Sequence, residues 1–497
     1  MEHFDVLVVG AGISGIGAGY HLQDKCPDRT YAILEGREAI GGTWDLFRYP
    51  GVRSDSDMHT LGYAFKPWTN PRAIADGPAI LEYLHETARE FGIARHIRFS
   101  HHVSKAAWSS DNSRWTLDVE NKAKGETVRF TCNFLFMCSG YYNYAEGYTP
   151  SFEGTEQFKG QIIHPQKWPE TLDYKDKQII VIGSGATAVT IVPEMARDAA
   201  HVTMLQRSPT YLVSRPGQDA MANRLRRILP EKIASTIVRW RNILLGAYFF
   251  RMCRTRPERV KKMLLDGVRA ALPAGYDVDT HFTPTYNPWD QRLCLVPDSD
   301  FFEAIKFNKA SVVTDYIETF TENGIKLKSG KHLEADIVVT ATGLNMQLMS
   351  GIPIIVDGQV MNPGDCLSYK GMMYSDIPNL ATSFGYTNAS WTLKCDLTCQ
   401  YVCKLLNHMS EHGYTQCLPK RPVDEAETAP FIDFSSGYVQ RAMDQFPKQG
   451  RNEPWKVYQN YLKDKVVLGF SGVDDGVMIF SAPAPVQPLA EPVAKSA

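Results

Sequence analysis

A glycine-rich turn between an apolar strand and a helix occurs twice in the chain, and this repeat constrains the fold most. One copy follows the apolar run 4–9 and the other follows the apolar run 178–182: Gly10-Ala-Gly12-Ile-Ser14-Gly15 and Gly183-Ser184-Gly185-Ala186-Thr187-Ala188. In such a unit the first glycine permits a tight turn, the second lets the backbone approach a pyrophosphate, and the third position packs helix on strand. The amides and dipole at the helix N-terminus attract the anion. The sequence therefore predicts an α/β fold with two dinucleotide-binding, Rossmann-like domains.

The residue that ends the second strand differs between the two units. Strand 31–35 ends in Glu35, which can accept hydrogen bonds from both ribose hydroxyls and would repel a 2′-phosphate. Strand 201–206 ends in Arg207 and Ser208, where a cation suits the 2′-phosphate of NADP, although a solvated surface arginine is the alternative. Together the two units predict FAD and NADPH as cofactors.

Two further apolar segments, 134–140 and 335–343, end in small residues and glycine and predict two returns to the sheet. A strand is predicted at 96–103, with the backbone near Val103 beside the adenine. We expect an FAD domain in two parts, residues 1–145 and 344–480, and an NADP domain in two parts, 146–215 and 291–343. A helical insertion is predicted at 216–290 and a disordered, Pro/Ala-rich tail at 481–497.

Composition excludes several other classes of protein. With 497 residues the chain has room for two or three domains, and a net charge of −2 indicates no nucleic-acid partner. Ten cysteines without a C-x-x-C pair argue against a zinc site or a redox disulfide. Cys395, Cys399 and Cys403 share one helical face and are expected to be buried apolar residues rather than metal ligands. The absence of a signal peptide and of a long apolar run predicts a cytoplasmic protein.

The segment 41–55 contains residues suited to a flat aromatic ring. Paired glycines let the chain pass close to such a ring, and Trp44 offers stacking area; the cofactor-binding residues predicted here are Gly42, Thr43, Trp44, Arg53 and Asp55. Because Arg48 and Arg53 lie close in sequence, the Asp55 carboxylate is expected to be ionised and hydrogen-bonded. A core aromatic and a turn residue are the alternative interpretations of Trp44 and Asp55.

Two motifs carry a resemblance to a known family. Residues 158–169 read F-x-G-x-x-x-H-x-x-x-W-P, with Phe158, Gly160, His164 and Trp168 at the fixed positions, and residues 41–55 read G-G-x-W-x-x-x-x-Y-P-G-x-x-x-D. Both resemble signatures of the type I Baeyer–Villiger flavin monooxygenases, nearest to the branch of the ethionamide-activating monooxygenase. Without the resemblance, 158–169 is an ordinary linker in which His164 makes a local hydrogen bond.

The resemblance implies an NADPH- and O2-dependent enzyme that converts ketones to esters or lactones through a C4a-peroxyflavin and also oxidises sulfides. It implies that Arg292, oriented by Asp55, stabilises the deprotonated peroxide and that both residues are catalytic. Gln291 stands where several members have a lysine, so Arg207 is expected to carry more of the phosphate recognition. Asn388 and Trp391 are expected near nicotinamide and substrate, although helix-start packing explains them nearly as well. The rival functions are an S- or N-oxygenating flavin monooxygenase, a flavin disulfide reductase and a silent NADP-binding regulator.

Two segments have predicted roles other than cofactor binding, the motif 158–169 and the insertion. The segment 158–169 leaves the FAD domain and enters the NADP domain, so it is predicted to be a joint between domains that move. Residues 221–271 contain 13 Lys or Arg against Glu231, Glu258 and Asp266, with apolar residues at helical spacing. The favoured interpretation of this insertion is a solvated basic face over the NADP domain; peripheral membrane contact and self-association are the alternatives.

Overall fold

The computed structural model describes residues 1–422 and 428–482. Of the predicted tail, residues 483–497 lie outside the described residues, whereas Ser481 ends a strand. The helices are α1 Ile13–Lys25, α2 Thr43–Leu46, α3 Met58–Leu61, α4 Gly77–Glu90, α5 Ala186–Met195, α6 Ala220–Ile228, α7 Glu231–Thr255, α8 Pro257–Ala271, α9 Val278–Phe282, α10 Asp300–Lys306, α11 Trp391–Glu411, α12 Gly437–Gln440 and α13 Tyr461–Gly469.

The strands follow the same chain order. They are β1 Glu2–Val9, β2 Tyr31–Leu34, β3 Ile97–Arg98, β4 His101–Ser109, β5 Arg114–Asn121, β6 Glu126–Met137, β7 Tyr142–Gly147, β8 Gln161–Ile163, β9 Gln178–Ile182, β10 His201–Gln206, β11 Leu212–Arg215, β12 Cys294–Pro297, β13 Ala310–Thr314, β14 Ile317–Thr321, β15 Gly324–Leu327, β16 His332–Glu334, β17 Ile337–Thr340, β18 Leu344–Met346, β19 Ile354–Val356, β20 Gln359–Met361, β21 Ser368–Tyr369, β22 Met373–Tyr374, β23 Leu380–Thr382, β24 Gln416–Pro419, β25 Ala429–Pro430, β26 Lys448–Gln449 and β27 Met478–Ser481.

The larger sheet has, within the described residues, nine strands in the order β20-β19-β4-β5-β6-β1-β2-β3, with β23 also pairing with β6. Strand β1 runs parallel to both β2 and β6, and its residues Val6 to Val9 are buried. A continuous apolar run fits a strand that is covered on both faces, which is why this segment could be predicted. The single strand predicted at 96–103 is wrong, because β3 ends at Arg98 and a turn through Ser100, with positive φ, precedes β4.

The smaller sheet is parallel throughout, in the order β13-β10-β9-β17-β8. Its strands come from residues 161–340, between the segments that form the larger sheet. The chain passes twice between the two sheets, through β7 and β18, and these strands pair with each other in an antiparallel ribbon. A two-stranded ribbon therefore links the two sheets.

The insertion consists mainly of α6, α7 and α8, and local sequence explains their ends. The Asp219 carboxylate accepts a hydrogen bond from the Ala222 amide and caps α6. Pro257 is the first residue of α8, a position where proline's fixed φ is favourable and its missing N–H costs nothing. The predicted helical insertion at 216–290 is therefore occupied by helices over most of its length, including the short helix α9.

All ten cysteines are buried and reduced, including the three that share one face of α11. No group of three metal-ligating side chains occurs in the part of the chain that the structure describes. None of the helices in that part combines the length and apolar character needed to cross a bilayer.

Candidate functional site

A cavity of about 820 Å³ lies where both glycine-rich loops end. Its wall includes Gly10, Gly12 and Ser14 of the first loop and Ala186 and Thr187 of the second. Other predicted site residues in the wall are Glu35, Gly42, Thr43, Trp44, Arg53, Asp55, Val103, Arg292 and Trp391. Tertiary structure therefore brings residues from eight separate chain segments around one space, and that volume lies in the range typical of cofactor sites.

The first loop is closely packed. Gly10 has a φ of +103°, a conformation that favours glycine, and a methyl group on Gly15 would overlap the Gly10 carbonyl oxygen. Gly15 is therefore needed for contact between helix and loop and does not line the cavity. The Ser14 hydroxyl accepts a hydrogen bond from the Trp391 indole at 2.9 Å, which ties α11 to the loop.

Glu35 lies just beyond β2, 6% exposed, in the wall of this cavity. Its carboxylate accepts hydrogen bonds from the amides of Ala11 at 2.7 Å and Arg37 at 2.9 Å. Burial raises the pKa of this carboxyl, while the two amides act to lower it. A carboxylate held in this way retains acceptor capacity for a pair of vicinal hydroxyls.

The two arginines close to Asp55 in sequence pair elsewhere. Arg48 and Arg37 both form ion pairs with the buried Asp45. Arg53 pairs with Asp300 at the start of α10, although it also borders the cavity. Asp55 therefore does not depend on its sequence neighbours for a partner.

Asp55 instead pairs with Arg292, 237 residues further along the chain. Nε of Arg292 is 2.7 Å from Oδ2 of Asp55, and Nη2 is 3.0 Å from Oδ1, so the contact is bidentate. The two side chains are 31% and 32% exposed, in the cavity wall. Burial acts to lower the pKa of the guanidinium, but Asp55 together with Tyr141, Tyr438 and Tyr142 outweighs it, and the pKa is raised above its usual value. Arg292 therefore remains a fixed positive charge in the cavity.

Three tyrosines near this pair were not predicted. The Tyr141 hydroxyl is 2.7 Å from that of Tyr142, and the Tyr141 ring stacks on Trp391 at 5.0 Å. Burial raises the pKa of Tyr141, Tyr142 and Tyr438, and Arg292 acts to lower each of the three. Tyr141 and Tyr142 follow the carboxyl end of β6, where ligands of α/β sheets bind, so their position was a usable signal. Tyr438 carries no comparable sequence signal.

The second loop borders the cavity through Ala186 and Thr187. Gly183 has a φ of +134°, whereas a methyl group on Gly185 would meet no atom within 4 Å. The Ser184 hydroxyl donates to the Ser208 carbonyl oxygen at 2.9 Å, and Ala188 is fully buried under the loop. Arg207 and Ser208 are exposed and do not line the cavity. Among the described residues, Arg207 forms no ion pair.

The segment 158–169 lies outside the cavity. Phe158 packs with Ile180 and Phe320 in the smaller domain, and a methyl group on Gly160 would overlap the Asp336 carbonyl oxygen. Trp168 packs against the core of the smaller sheet. These positions explain three of the four fixed residues by packing.

His164 connects the segment to the ribbon. Its Nε2 donates to the Gly343 carbonyl oxygen at 3.2 Å, and its Nδ1 accepts from the Gln166 amide at 3.2 Å. The ring lies against Gly147, where an added methyl group would overlap it. Burial lowers the pKa of His164, which favours the neutral ring that both hydrogen bonds require. The structure thus places His164 at the crossing between the two sheets.

Asn388 is the predicted nicotinamide or substrate residue that the cavity wall does not include. Its side-chain amide donates to the Gln459 carbonyl oxygen at 2.8 Å, in a packing role. Trp391, three residues later, does line the cavity.

Comparisons with known proteins agree with this architecture. A flavin-binding monooxygenase-like family model matches residues 68–244, and a model of an NAD(P)-binding Rossmann-like domain matches residues 8–72. The chain is similar in fold to a steroid monooxygenase bound to NADP and to cyclohexanone monooxygenase, at 22% and 20% identity, each with a TM-score of 0.76. Each comparison covers 97% of this chain and 100% of the other.

Curated relatives extend the similarity to the full length. The chain is 56% identical to the FAD-containing monooxygenase EthA of Mycobacterium tuberculosis over 98% of this chain and 99% of the relative. It is 48% identical to a probable FAD-binding monooxygenase, AlmA, of Acinetobacter baylyi over 96% of each. The chain therefore belongs to the family of FAD-containing monooxygenases that includes EthA, and the resemblance to a flavin monooxygenase family is confirmed.

Proposed function

We propose that the chain is an FAD- and NADPH-dependent monooxygenase that inserts one oxygen atom beside the carbonyl of a ketone, giving an ester or lactone. We further propose that it oxidises sulfides. The observation that carries this proposal is the bidentate pair between Arg292 and Asp55 in the wall of the large cavity. Bound FAD would supply two-electron transfer from NADPH and the activation of O2.

FAD is assigned to the first loop because the residues there fit it. Gly12 and Gly42 line the cavity close together, without side chains that would fill it. Glu35 is held so that its oxygens can accept from a ribose, and Val103 forms another part of the wall. Trp44 and Tyr141 supply aromatic surface. We propose that the FAD and NADP domains have the limits predicted from the sequence, because the loops assigned to the two cofactors lie within those limits.

NADPH is assigned to the second loop. Its helix N-terminus at Ala186 and its exposed Gly185 can approach a pyrophosphate. Arg207, charged and without an ion-pair partner among the described residues, would hold the 2′-phosphate. Gln291 adds no second cation, so the preference for NADPH over NADH would rest on Arg207.

Arg292 would act on the oxygen atoms that react in the cavity. A guanidinium whose pKa is raised by Asp55 stays protonated at every working pH, so it stabilises negative charge on an oxygen without giving up its proton. Asp55 holds two of the guanidinium nitrogens and leaves Nη1 without a hydrogen bond among the described residues. Asp55 is therefore proposed to orient Arg292, and Nη1 to face the reacting oxygen.

The ribbon formed by β7 and β18, with His164 and Gly343, is proposed as the joint between the two domains. The hydrogen bond from His164 Nε2 to the Gly343 carbonyl oxygen, at 3.2 Å, would hold the two crossing segments together while the NADPH-binding loop moves relative to the flavin site. The fixed residues of the segment 158–169 would then act on geometry and not on the reacting atoms.

The proposal is tested with purified protein, NADPH, O2 and two substrates, a methyl ketone and a thioether. We expect an ester from the ketone and a sulfoxide from the thioether, each with matching NADPH consumption. Sulfoxide without any ester would favour a heteroatom-oxygenating enzyme instead. Protein without bound flavin and without NADPH consumption would contradict the whole proposal.

A further inference from the structure

Helices α6 and α7 expose apolar side chains that the proposed chemistry does not use. Seven large ones in this part of the described chain are between 41% and 67% exposed. We call them the apolar ridge: Met221, Ile228, Ile233, Ile237, Leu244, Leu245 and Tyr248. Scattered single apolar residues are normal on a protein surface, but a contiguous set indicates an interaction site.

Helical geometry places most of the ridge on one side of α7. Ile233, Ile237, Leu244 and Tyr248 are separated by four, seven and four residues. At 3.6 residues per turn these positions fall within about 60° of each other around the helix axis. The four ridge residues therefore face one direction along some four turns of α7, with Trp240 between them packed against Tyr461.

The other side of α7 belongs to the body of the protein. Val238 and Ile243 are buried, and Ile243 packs with Tyr386 and Leu393. Tyr386 in turn lines the large cavity. Since α7 is anchored through these residues, the ridge is not needed to hold the helix in place.

Some cations of the insertion are used inside the structure. Arg226 donates to the carbonyl oxygens of Thr69 and Asn70, and Arg239 donates to those of His59 and Gly62. Arg241 pairs with Asp219. Arg226 and Arg239 thus attach the insertion to the segment that follows Asp55, whereas Arg241 pairs within the insertion.

Other cations of the insertion have no such use. Among the described residues, the following make no ion pair or side-chain hydrogen bond: Arg224, Arg227, Lys232, Arg251, Arg256, Arg259 and Lys261. The whole chain has a net charge of −2, so this positive charge is a local feature of the insertion. The exposed surface of the insertion therefore carries both apolar side chains and cations that make no ion pair among the described residues.

We propose that the apolar ridge docks on the surface of a bilayer that contains anionic phospholipid. The apolar side chains would enter the boundary between headgroups and acyl chains, and the unpaired cations would contact phosphates. A second copy of the chain fits less well, because a symmetric contact would bring two cationic surfaces together. A nucleic acid would neutralise the charge but offers no acyl phase for the ridge.

The test is co-sedimentation of the full-length protein, with its flavin, on vesicles of phosphatidylglycerol or of phosphatidylcholine. We expect binding to phosphatidylglycerol vesicles that weakens as salt is raised, and little binding to phosphatidylcholine. Absence of binding to phosphatidylglycerol at low salt, or equal binding to both lipids, would overturn the proposal.

Two sets of variants separate the contribution of the cations to membrane binding from that of the apolar ridge. The triple charge variant R227Q/K232Q/R251Q should weaken binding to anionic vesicles roughly 100-fold, since each cation near such a surface contributes a factor of about five. The ridge variant I237N/L244N/Y248N should abolish binding even though all cations remain. Matched controls are K105Q/K175Q/K309Q and F307N/V360N, which change exposed cations and exposed apolar residues elsewhere.

These variants also distinguish the docking from the proposed function. Neither set touches the cavity wall, so oxidation of a water-soluble ketone and flavin content should stay as in the parent protein. Control variants that lose binding as strongly as the ridge variants would overturn the proposal. Sedimentation without lipid provides a further check. If the parent protein formed oligomers and the ridge variant did not, the ridge would be a contact between copies and the proposal would be overturned.

Discussion

The two glycine-rich loops share a sequence pattern, but the structure gives them different surroundings. In the first loop Ala11, Ser14 and Gly15 are buried and the acid at the end of the next strand is 6% exposed. In the second loop Gly185 and Ala186 are exposed, and so is Arg207. An enclosed loop suits a ligand that stays bound, and an open one suits a ligand that is exchanged in every cycle. Burial, and not the motif, distinguishes the two.

The largest expected effect is on stability, and it concerns the residue at the third fixed position of each loop, Gly15 in the first and Ala188 in the second. G15A places a methyl group on the Gly10 carbonyl oxygen, so we expect the free energy of unfolding to fall by about 3 kcal/mol or more, with loss of bound flavin. Thermal unfolding and flavin absorbance per protein measure both. The second loop already has a buried Ala188 at this position, and A188G should cost only about 1 to 2 kcal/mol. If G15A and A188G lowered the free energy of unfolding by the same amount, the two loops would be packed alike and the comparison would be wrong.

A second test concerns the pair that spans the cavity. R292A should lower the rate of ester formation by roughly 100- to 1000-fold, because it removes the fixed charge that stabilises a reacting oxygen. Reduction of the flavin by NADPH, followed by stopped-flow absorbance, should change only a few-fold. D55N should have a smaller effect, since it leaves the guanidinium in place but less well oriented.

R48A provides the matched control, because Arg48 pairs with Asp45 and not with Asp55. It should retain ester formation close to that of the parent protein. If R292A retained full product yield, or if R48A lost as much as R292A, the role assigned to Arg292 would be wrong.

The third test addresses the open loop. R207A should raise KM for NADPH roughly 10- to 100-fold, the value of lost charge-assisted hydrogen bonds, while KM for NADH stays nearly constant. Steady-state kinetics with both coenzymes measure this. R215A is the control, because Arg215 is also exposed, lies eight residues further along the chain, and its side chain makes no hydrogen bond or ion pair among the described residues. A parallel rise for NADH would show that Arg207 does not recognise the 2′-phosphate.

The smallest effect concerns the joint. Burial lowers the pKa of His164 below its usual value of 6.5, so below that pH the unfolded chain binds a proton that the folded chain does not. Stability should therefore fall as pH is lowered through 6.5 and be independent of this residue above it. Urea unfolding at pH 5.5 and 7.5 should show a smaller pH difference for H164N than for the parent protein. An unchanged difference would remove His164 from this role.

Much of the fold could be predicted because local sequence specifies it. The apolar runs before Gly10 and Gly183 became central parallel strands, and the three cysteines at four-residue spacing became a buried face of α11. One prediction failed where the chain direction changes without a strong signal, at Ser100. Asn388 shows a different limit, since its side chain had two possible roles and the structure places its amide against the Gln459 carbonyl, outside the cavity wall.

By itself, the sequence determined two nucleotide-binding units, an acid after one and a cation after the other, and the motifs of a monooxygenase family. These features are specified by short stretches of sequence, so they could be recognised without knowing how the chain folds. Only the tertiary structure decided that Asp55 pairs with Arg292 and not with Arg48 or Arg53, and that Tyr438 lies near them. It also decided which loop is enclosed and which is open. Contacts between distant segments depend on how whole sheets pack, and no local pattern encodes that.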